Sequence, residues 1–328
     1  MVSDSLCFDR LLRRRRLALA RHLARALEGD AVAVHQARVA SRRLRELLPL
    51  AVPSGAPHVV ADARRALRRL TRALGPVREL DVALTSLGSW QSRGFVSARV
   101  HAKLAGELAR ERSARRDTLA HRMRGARPKR LLAALDELGA SIREDGAARM
   151  WLGVLALRLD RRAADVREAT RAAGALYSAS GLHDVRIAVK KLRYAVELAA
   201  ETRTVTRLGR ALTTLKRAQD TLGELHDVDV LAAIVGRSIL RRDGRGHAPS
   251  PGPRAGAPTP APGIRRLVQQ LDLEARRLHA DYLATRSGIE AVADMVTDRV
   301  VPALSAAALA PSAALVPASA RRAGSCRV

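Results

Sequence analysis

The stretch VHQARVASRRLRELLPL at residues 34–50 returns 148 positions later as LHDVRIAVKKLRYAVEL at residues 182–198. His35/His183, Arg38/Arg186, Ala40/Ala188, Leu44/Leu192, Arg45/Arg193 and Leu50/Leu198 are identical pairs, and Arg42/Lys190 and Arg43/Lys191 keep their charge. A second pair, LGPVRELDVAL at 74–84 and LGELHDVDVLA at 222–232, repeats at the same offset. Two matches at one offset imply two copies of one unit, with no net change of length between the matched blocks.

Wound into a helix at about 100° per residue, His35, Arg38, Arg42 and Arg45 fall within an arc of about 80°. Ala37, Ala40, Leu44, Leu47 and Leu48 occupy an arc of about 100° on the other side. In the second copy His183, Arg186, Lys190 and Arg193 oppose Val185, Ala188, Leu192, Ala195 and Val196. Each helix therefore has a core stripe and a cationic stripe. Exposed faces usually mix signs, because like charges one turn apart repel by about 0.2–0.5 kcal/mol. An all-basic stripe present in both copies points to an anionic ligand. The plainer alternatives are a solvated face, or one paired with acids on neighbouring helices. The histidine leads each stripe, where an imidazole can donate to phosphate oxygens beside a positive helix N-terminus, or can fix packing by hydrogen bonding.

Outward from the repeat, three-to-four spacing of Leu, Ala, Arg and Glu predicts helices almost throughout, and β-branched alternation is nearly absent. The fold class is all-α. A first helix capped by Ser3 or Asp4 ends at Gly29, and a second, capped by Asp30, ends before Pro53. A third runs to Leu74, and a fourth from Gly75-Pro76 to about Gly88. Further helices are predicted at about 96–124, 128–144, 151–173, 182–202, 204–222, 224–241 and 264–298. The repeat halves span about 5–125 and 151–300 within one unit of 1–300. Residues 244–263 hold six prolines and five glycines and read as a flexible insertion; 301–328 reads as a disordered Ala/Pro-rich tail.

The 328 residues carry a net charge of +27, with 54 of 59 basic residues being Arg. With 47% hydrophobic residues this is a packed protein, and the charge points to a polyanion. Aromatics at 2% argue against binders that stack bases on rings. Cys7 and Cys326 make neither a disulfide framework nor a CxxC motif, so a reducing compartment is expected. Arg13 to Arg16, followed by Arg21, His22 and Arg25, does not make a secretory signal. Pro302, Pro311 and Pro317 break the one strongly apolar stretch, so no membrane association is expected. The reading is a cytoplasmic protein.

The pattern His-x-x-Arg-(Val/Ile)-Ala-x-(Arg/Lys)-(Arg/Lys)-Leu-Arg, present twice and followed each time by Leu-Gly-x-x-x-x-x-Asp-Val, resembles the CHAD domain, the conserved histidine α-helical domain. The resemblance covers about residues 5–300. It implies two pseudo-symmetric four-helix bundles around a basic groove or pore, binding of inorganic polyphosphate and association with polyphosphate granules. The ligand residues it implies are His35, Arg38, Arg42, Arg43 and Arg45, with His183, Arg186, Lys190, Lys191 and Arg193. Arg78, Lys216 and Arg217 are additions, whereas Asp81 and Asp229 are expected to orient basic side chains. Arg43 and Lys191 lie at the far edge of the stripe. No catalytic residue, metal or cofactor is expected.

Two rivals stand beside this. His183-Asp184 and His226-Asp227 are HD dipeptides of the kind used by metal-dependent phosphohydrolases, but the first copy has His35-Gln36 and Arg78-Glu79 instead. No HExxH, GxxxxGK[ST], GxSxG or ExExK motif occurs. Nucleic acid is the second rival, since backbone phosphates dominate non-specific affinity. Zinc-finger spacing, basic-zipper heptads and RNA-binding aromatic motifs are missing, so DNA or RNA is expected only as a weak competing ligand.

Overall fold

Helix-favouring Ala, Leu, Arg and Glu fill eleven α-helices, and no strand occurs among the described residues. The computed structural model describes residues 4–51, 57–124, 127–144, 150–202, 204–243 and 261–310. The helices are α1 (Asp4–Leu27), α2 (Ala31–Leu47), α3 (Pro57–Ala73), α4 (Gly75–Ser92), α5 (Ala98–Arg124) and α6 (Pro128–Glu144). They continue as α7 (Met150–Ala173), α8 (Ala179–Glu201), α9 (Gly209–Asp243), α10 (Pro262–Met295) and α11 (Val301–Leu309). A 3-10 turn at Leu48–Leu50 ends α2, and a π turn at Val296–Val300 joins α10 to α11.

Local chemistry sets the starts of the two repeated helices. Asp30 accepts from the Ala33 N–H at 2.7 Å to cap α2, and Ser178 accepts from the Gly181 N–H at 3.3 Å to cap α8. The chain reaches α2 through Gly29, whose φ of +82° suits a residue without a Cβ. The predicted core stripes are buried in both copies: Leu44 and Leu47 in α2 with Leu48 in the turn that follows, and Val185, Leu192 and Val196 in α8, are fully covered. Each such leucine contributes about 2 kcal/mol relative to exposure.

The order of packing repeats as well. α1 packs on α2 as α7 packs on α8, and α2 on α3 as α8 on α9. α4 pairs with α5 as α9 pairs with α10, and α1 with α6 as α7 with α11. The halves meet where α2 contacts α8 and α4 contacts α9. α6, outside the 5–125 span expected for the first half, thus packs with that half.

Two sequence expectations are corrected. The predicted helices 204–222 and 224–241 are one continuous helix, α9. Gly223 alone does not stop it, whereas in the first copy Pro76 follows the equivalent Gly75, removes a backbone donor and separates α3 from α4. The tail expected from residue 301 begins as helix α11, with Leu304 fully buried against the core. Its Pro302 sits in the first turn, after the π turn, where the missing N–H is tolerated. Residues 244–260 of the insertion and 311–328 of the tail lie outside the described residues.

Candidate anion-binding site

The contacts α2–α8 and α4–α9 bring the two cationic stripes face to face. From the first copy come His35, Arg38 and Arg42 on α2 and Arg78 on α4; from the second come Arg186 and Lys190 on α8 and His226 on α9. Arg42 acts electrostatically on Arg186 and Lys190 across the boundary. Two acids bear on the cluster, Glu79 on Arg38 and Asp227 on Arg186. Arg38, Arg42, Arg78, Arg186 and Lys190 make no ion pair among the described residues.

Burial, then repulsion from neighbouring bases, depresses the charged forms of His35, Arg38, Arg186, Lys190 and His226. Burial with Arg42, Arg186, Arg38 and Lys191 around it brings the Lys190 ammonium down to about 7. Arg38 falls to about 10 through burial, Arg42 and Arg78. The His226 imidazole drops to about 4 through burial, Arg186, His183 and Lys190, so it is neutral near pH 7. His35 is lowered by burial and by Arg78, Arg42 and Arg38, and Arg186 by burial and Arg42. Burial raises Asp227 despite Arg186 and Arg78. Cations gathered in low dielectric with so few carboxylates present a strong positive potential to any anion that enters.

Arg38 is braced by a 2.7 Å hydrogen bond from its Nη1 to the Thr71 carbonyl at the end of α3. Gly75 makes room for it, since a Cβ there would lie 3.3 Å from the same nitrogen. His183 is exposed and leans on His226, their ring centroids 5.3 Å apart.

Several expected residues point elsewhere. Arg43 lines a cavity of about 470 Å³ between α1, α2 and α8 with Arg14, Arg15 and His22, its Nε 3.5 Å from Glu197. Lys191 lines a cleft between α7 and α8 with Arg161, Arg162, Asp165 and Asp184. Arg193 donates to Glu197 at 2.5 Å and to Gln219 at 2.9 Å, so the second stripe ends in a neutralised arginine. Lys216 pairs with Asp220 at 3.3 Å and Arg217 is exposed. Both lie about 15 Å before His226 along α9. Arg45 is lowered by burial, with Glu46 opposing and Arg68, Arg42 and Arg64 adding to it, so it adjoins the centre only through Arg42 and otherwise faces α3. Asp81 orients a base as expected, accepting from Arg112 Nε, but Asp229 accepts from the Tyr177 hydroxyl instead.

His226 is the cluster member that motif reading weighed only as half of a metal dyad. The offset of 148 pairs it with Arg78, and that equivalence is the signal that identifies it. No group of three or more His, Cys, Asp or Glu residues able to hold a metal ion occurs among the described residues. No helix among them is long and apolar enough to cross a membrane.

An all-helical fold carrying a doubled sequence motif, with a partly buried basic cluster where the two motif copies meet, defines the class of this protein. The CHAD domain family model matches residues 10–236, and the chain belongs to that family. The fold is similar to the crystal structure of the CHAD domain from the plant Ricinus communis, with a TM-score of 0.61 and 23% identity. That match covers 88% of this chain and 92% of the plant domain. It is also similar to PptA from Streptomyces chartreusis, with a TM-score of 0.54, 17% identity and coverage of 89% and 99%. None of the curated proteins matches the chain.

Proposed function

We propose that this chain binds inorganic polyphosphate without chemical conversion, in the cytoplasm and in association with polyphosphate granules. One observation carries the reading: four basic side chains of one copy and three of the other converge on a partly buried site with little compensating acid. An anionic polymer supplies the missing countercharge. Arg38, Arg42, Arg78 and Arg186 offer forked donors to phosphoryl oxygens, and Lys190 a compact charge. Family membership supports the same ligand, because the doubled His-Arg-Lys motif provides these residues.

Nucleic acid fits less well. No Phe, Tyr or Trp belongs to the cluster, so bases would find no ring on which to stack. A competition binding assay at about 0.15 M salt, with equal phosphate concentrations of long-chain polyphosphate and duplex DNA, separates the readings. Polyphosphate is expected to win, and log affinity to fall linearly with log salt. Replacing Arg38, Arg42, Arg186 and Lys190 together with glutamine should weaken polyphosphate binding at least about tenfold with helicity intact, since each charge-assisted contact contributes about 1.5–3 kcal/mol. Unchanged affinity, or preference for DNA, rejects the assignment.

A further inference from the structure

In a chain whose bases are mostly arginine, one lysine stands inside the central cluster. The other lysines have plainer surroundings. Lys103 pairs with Glu107 at 3.9 Å, Lys216 pairs with Asp220 at 3.3 Å, and Lys129 is exposed. Lys191 shares the α7–α8 cleft with Asp165 and Asp184. Lys190 is partly buried and makes no hydrogen bond or ion pair among the described residues. Arg42 and Arg38 bear on it from α2, Arg186 from one turn earlier on α8, Lys191 from beside it and His226 from α9. The acids of the cluster, Glu79 and Asp227, act on Arg38 and Arg186 instead.

Phosphate binding alone does not call for an amine at this position. Its equivalent in the first copy is Arg42, and a guanidinium fork grips phosphoryl oxygens in two places at once. What the lysine adds is reactivity. A guanidinium keeps its proton, whereas an amine that is desolvated beside other cations becomes a nucleophile near neutral pH. Lys190 meets both conditions and is the one amine of the cluster.

The surrounding arginines select the electrophile. They hold a phosphoryl dianion next to the amine, so the matching reagent carries phosphate as its leaving group. That reagent is an acyl phosphate, the mixed anhydride of a carboxylic and a phosphoric acid. The lone pair of Lys190 Nζ attacks the carbonyl carbon, and the bond from that carbon to the phosphate oxygen breaks. The amine gives up one proton and the departing phosphate takes one up, leaving an amide and hydrogen phosphate. His226, neutral near pH 7, is the base beside the amine through which the proton can pass.

We propose that Lys190 is a site of acylation by acyl phosphates, guided by Arg42, Arg38 and Arg186, and that this modification weakens polyphosphate binding. The second half rests on the polyphosphate reading above; the first does not. Acylation removes a positive charge from the middle of the cluster. A bound polymer covers the same amine, so ligand and modification exclude one another.

Incubation of the full-length chain with acetyl phosphate at about pH 7.5, followed by site-resolved mass spectrometry, tests the site. Lys190 should be acetylated at least about tenfold faster than Lys129. The rate should saturate with acetyl phosphate and fall when long-chain polyphosphate is added. Acetic anhydride, which has no phosphate to guide it, should show a smaller preference. R42Q/R186Q should lose most of the preference for Lys190, with helicity checked by circular dichroism. Acetylation of Lys190 no faster than of Lys129, or unaffected by R42Q/R186Q, would overturn the site. The acetylated chain should bind long-chain polyphosphate at least about fivefold more weakly than the unmodified chain, and equal affinity would overturn the effect on binding. If the unmodified chain binds no polyphosphate, that reading fails and the effect on binding with it, while the acetylation rates still decide the site.

Discussion

Lys190 is where the two copies press hardest on one another. Arg42 and Arg38 face it from α2, Arg186 and Lys191 from its own helix, and His226 from α9, and burial beneath them brings it down to about 7. The sign of the pH dependence follows. From about pH 7 up to the ordinary lysine range the unfolded chain holds the proton and the folded chain does not, so the free protein gains stability as pH rises through that window. A bound polyanion favours the ammonium, so binding takes up protons and polyphosphate affinity should rise as pH falls from about 8 to 6. Lys190→Met should raise the melting temperature of the free protein, flatten that pH profile and weaken binding. Melting curves with and without polyphosphate between pH 6 and 8 check all three. At this scale the sequence was partly legible. A helical wheel aligned Arg193 with Lys190, but only the structure shows that Glu197, four residues on, has captured it together with Arg43. The same wheel put Arg43 and Lys191 at the stripe's edge, and each faces a lateral cavity.

Gly75 and Gly223 are equivalent positions with different duties. A Cβ on Gly75 would crowd the Arg38 guanidinium, while one on Gly223 would meet nothing within 4 Å. Gly223→Ala should therefore stabilise α9 by about 1 kcal/mol and leave binding unchanged. Gly75→Ala should displace Arg38 and weaken polyphosphate binding several-fold; paired melting and titration experiments distinguish the two. The elements themselves were largely readable, because caps and glycines punctuate them: Asp30 opens α2, and Gly29 and Gly174, both at positive φ, close the helices before the repeated ones. The misreadings share one cause. Gly223 and Pro302 look like breaks in isolation, yet helix packing carries α9 through the glycine, and α11 resumes around the proline to bury Leu304. Local punctuation is a weak signal when a buried face continues past it.

The charge of +27 looks uniform in composition and is not so in space. Where the halves adjoin away from the cluster, acids gather arginines into a clamp: Glu201 of α8 accepts from Arg15 at 3.1 Å and also from Arg14, and Glu197 engages Arg43 and Arg193. Arg15 is only 5% exposed. Glu201→Gln should leave that buried guanidinium without its carboxylate and destabilise the protein by about 2 kcal/mol, while sparing tripolyphosphate affinity; denaturant unfolding and a binding titration read the two effects separately. The offset of 148 makes the doubled motif legible in the sequence, whereas the division of labour between cluster and clamp is not, because it depends on which helices of the two copies touch. The break before Pro76 has a mechanical consequence. His226 rides on α9, a rod of 35 residues about 50 Å long, whereas its equivalent Arg78 rides on α4, which starts after α3 at a joint whose proline donates no backbone hydrogen bond. The two equivalent residues thus have unequal supports: His226 is carried by an unbroken helix, and Arg78 by one that starts afresh just before it.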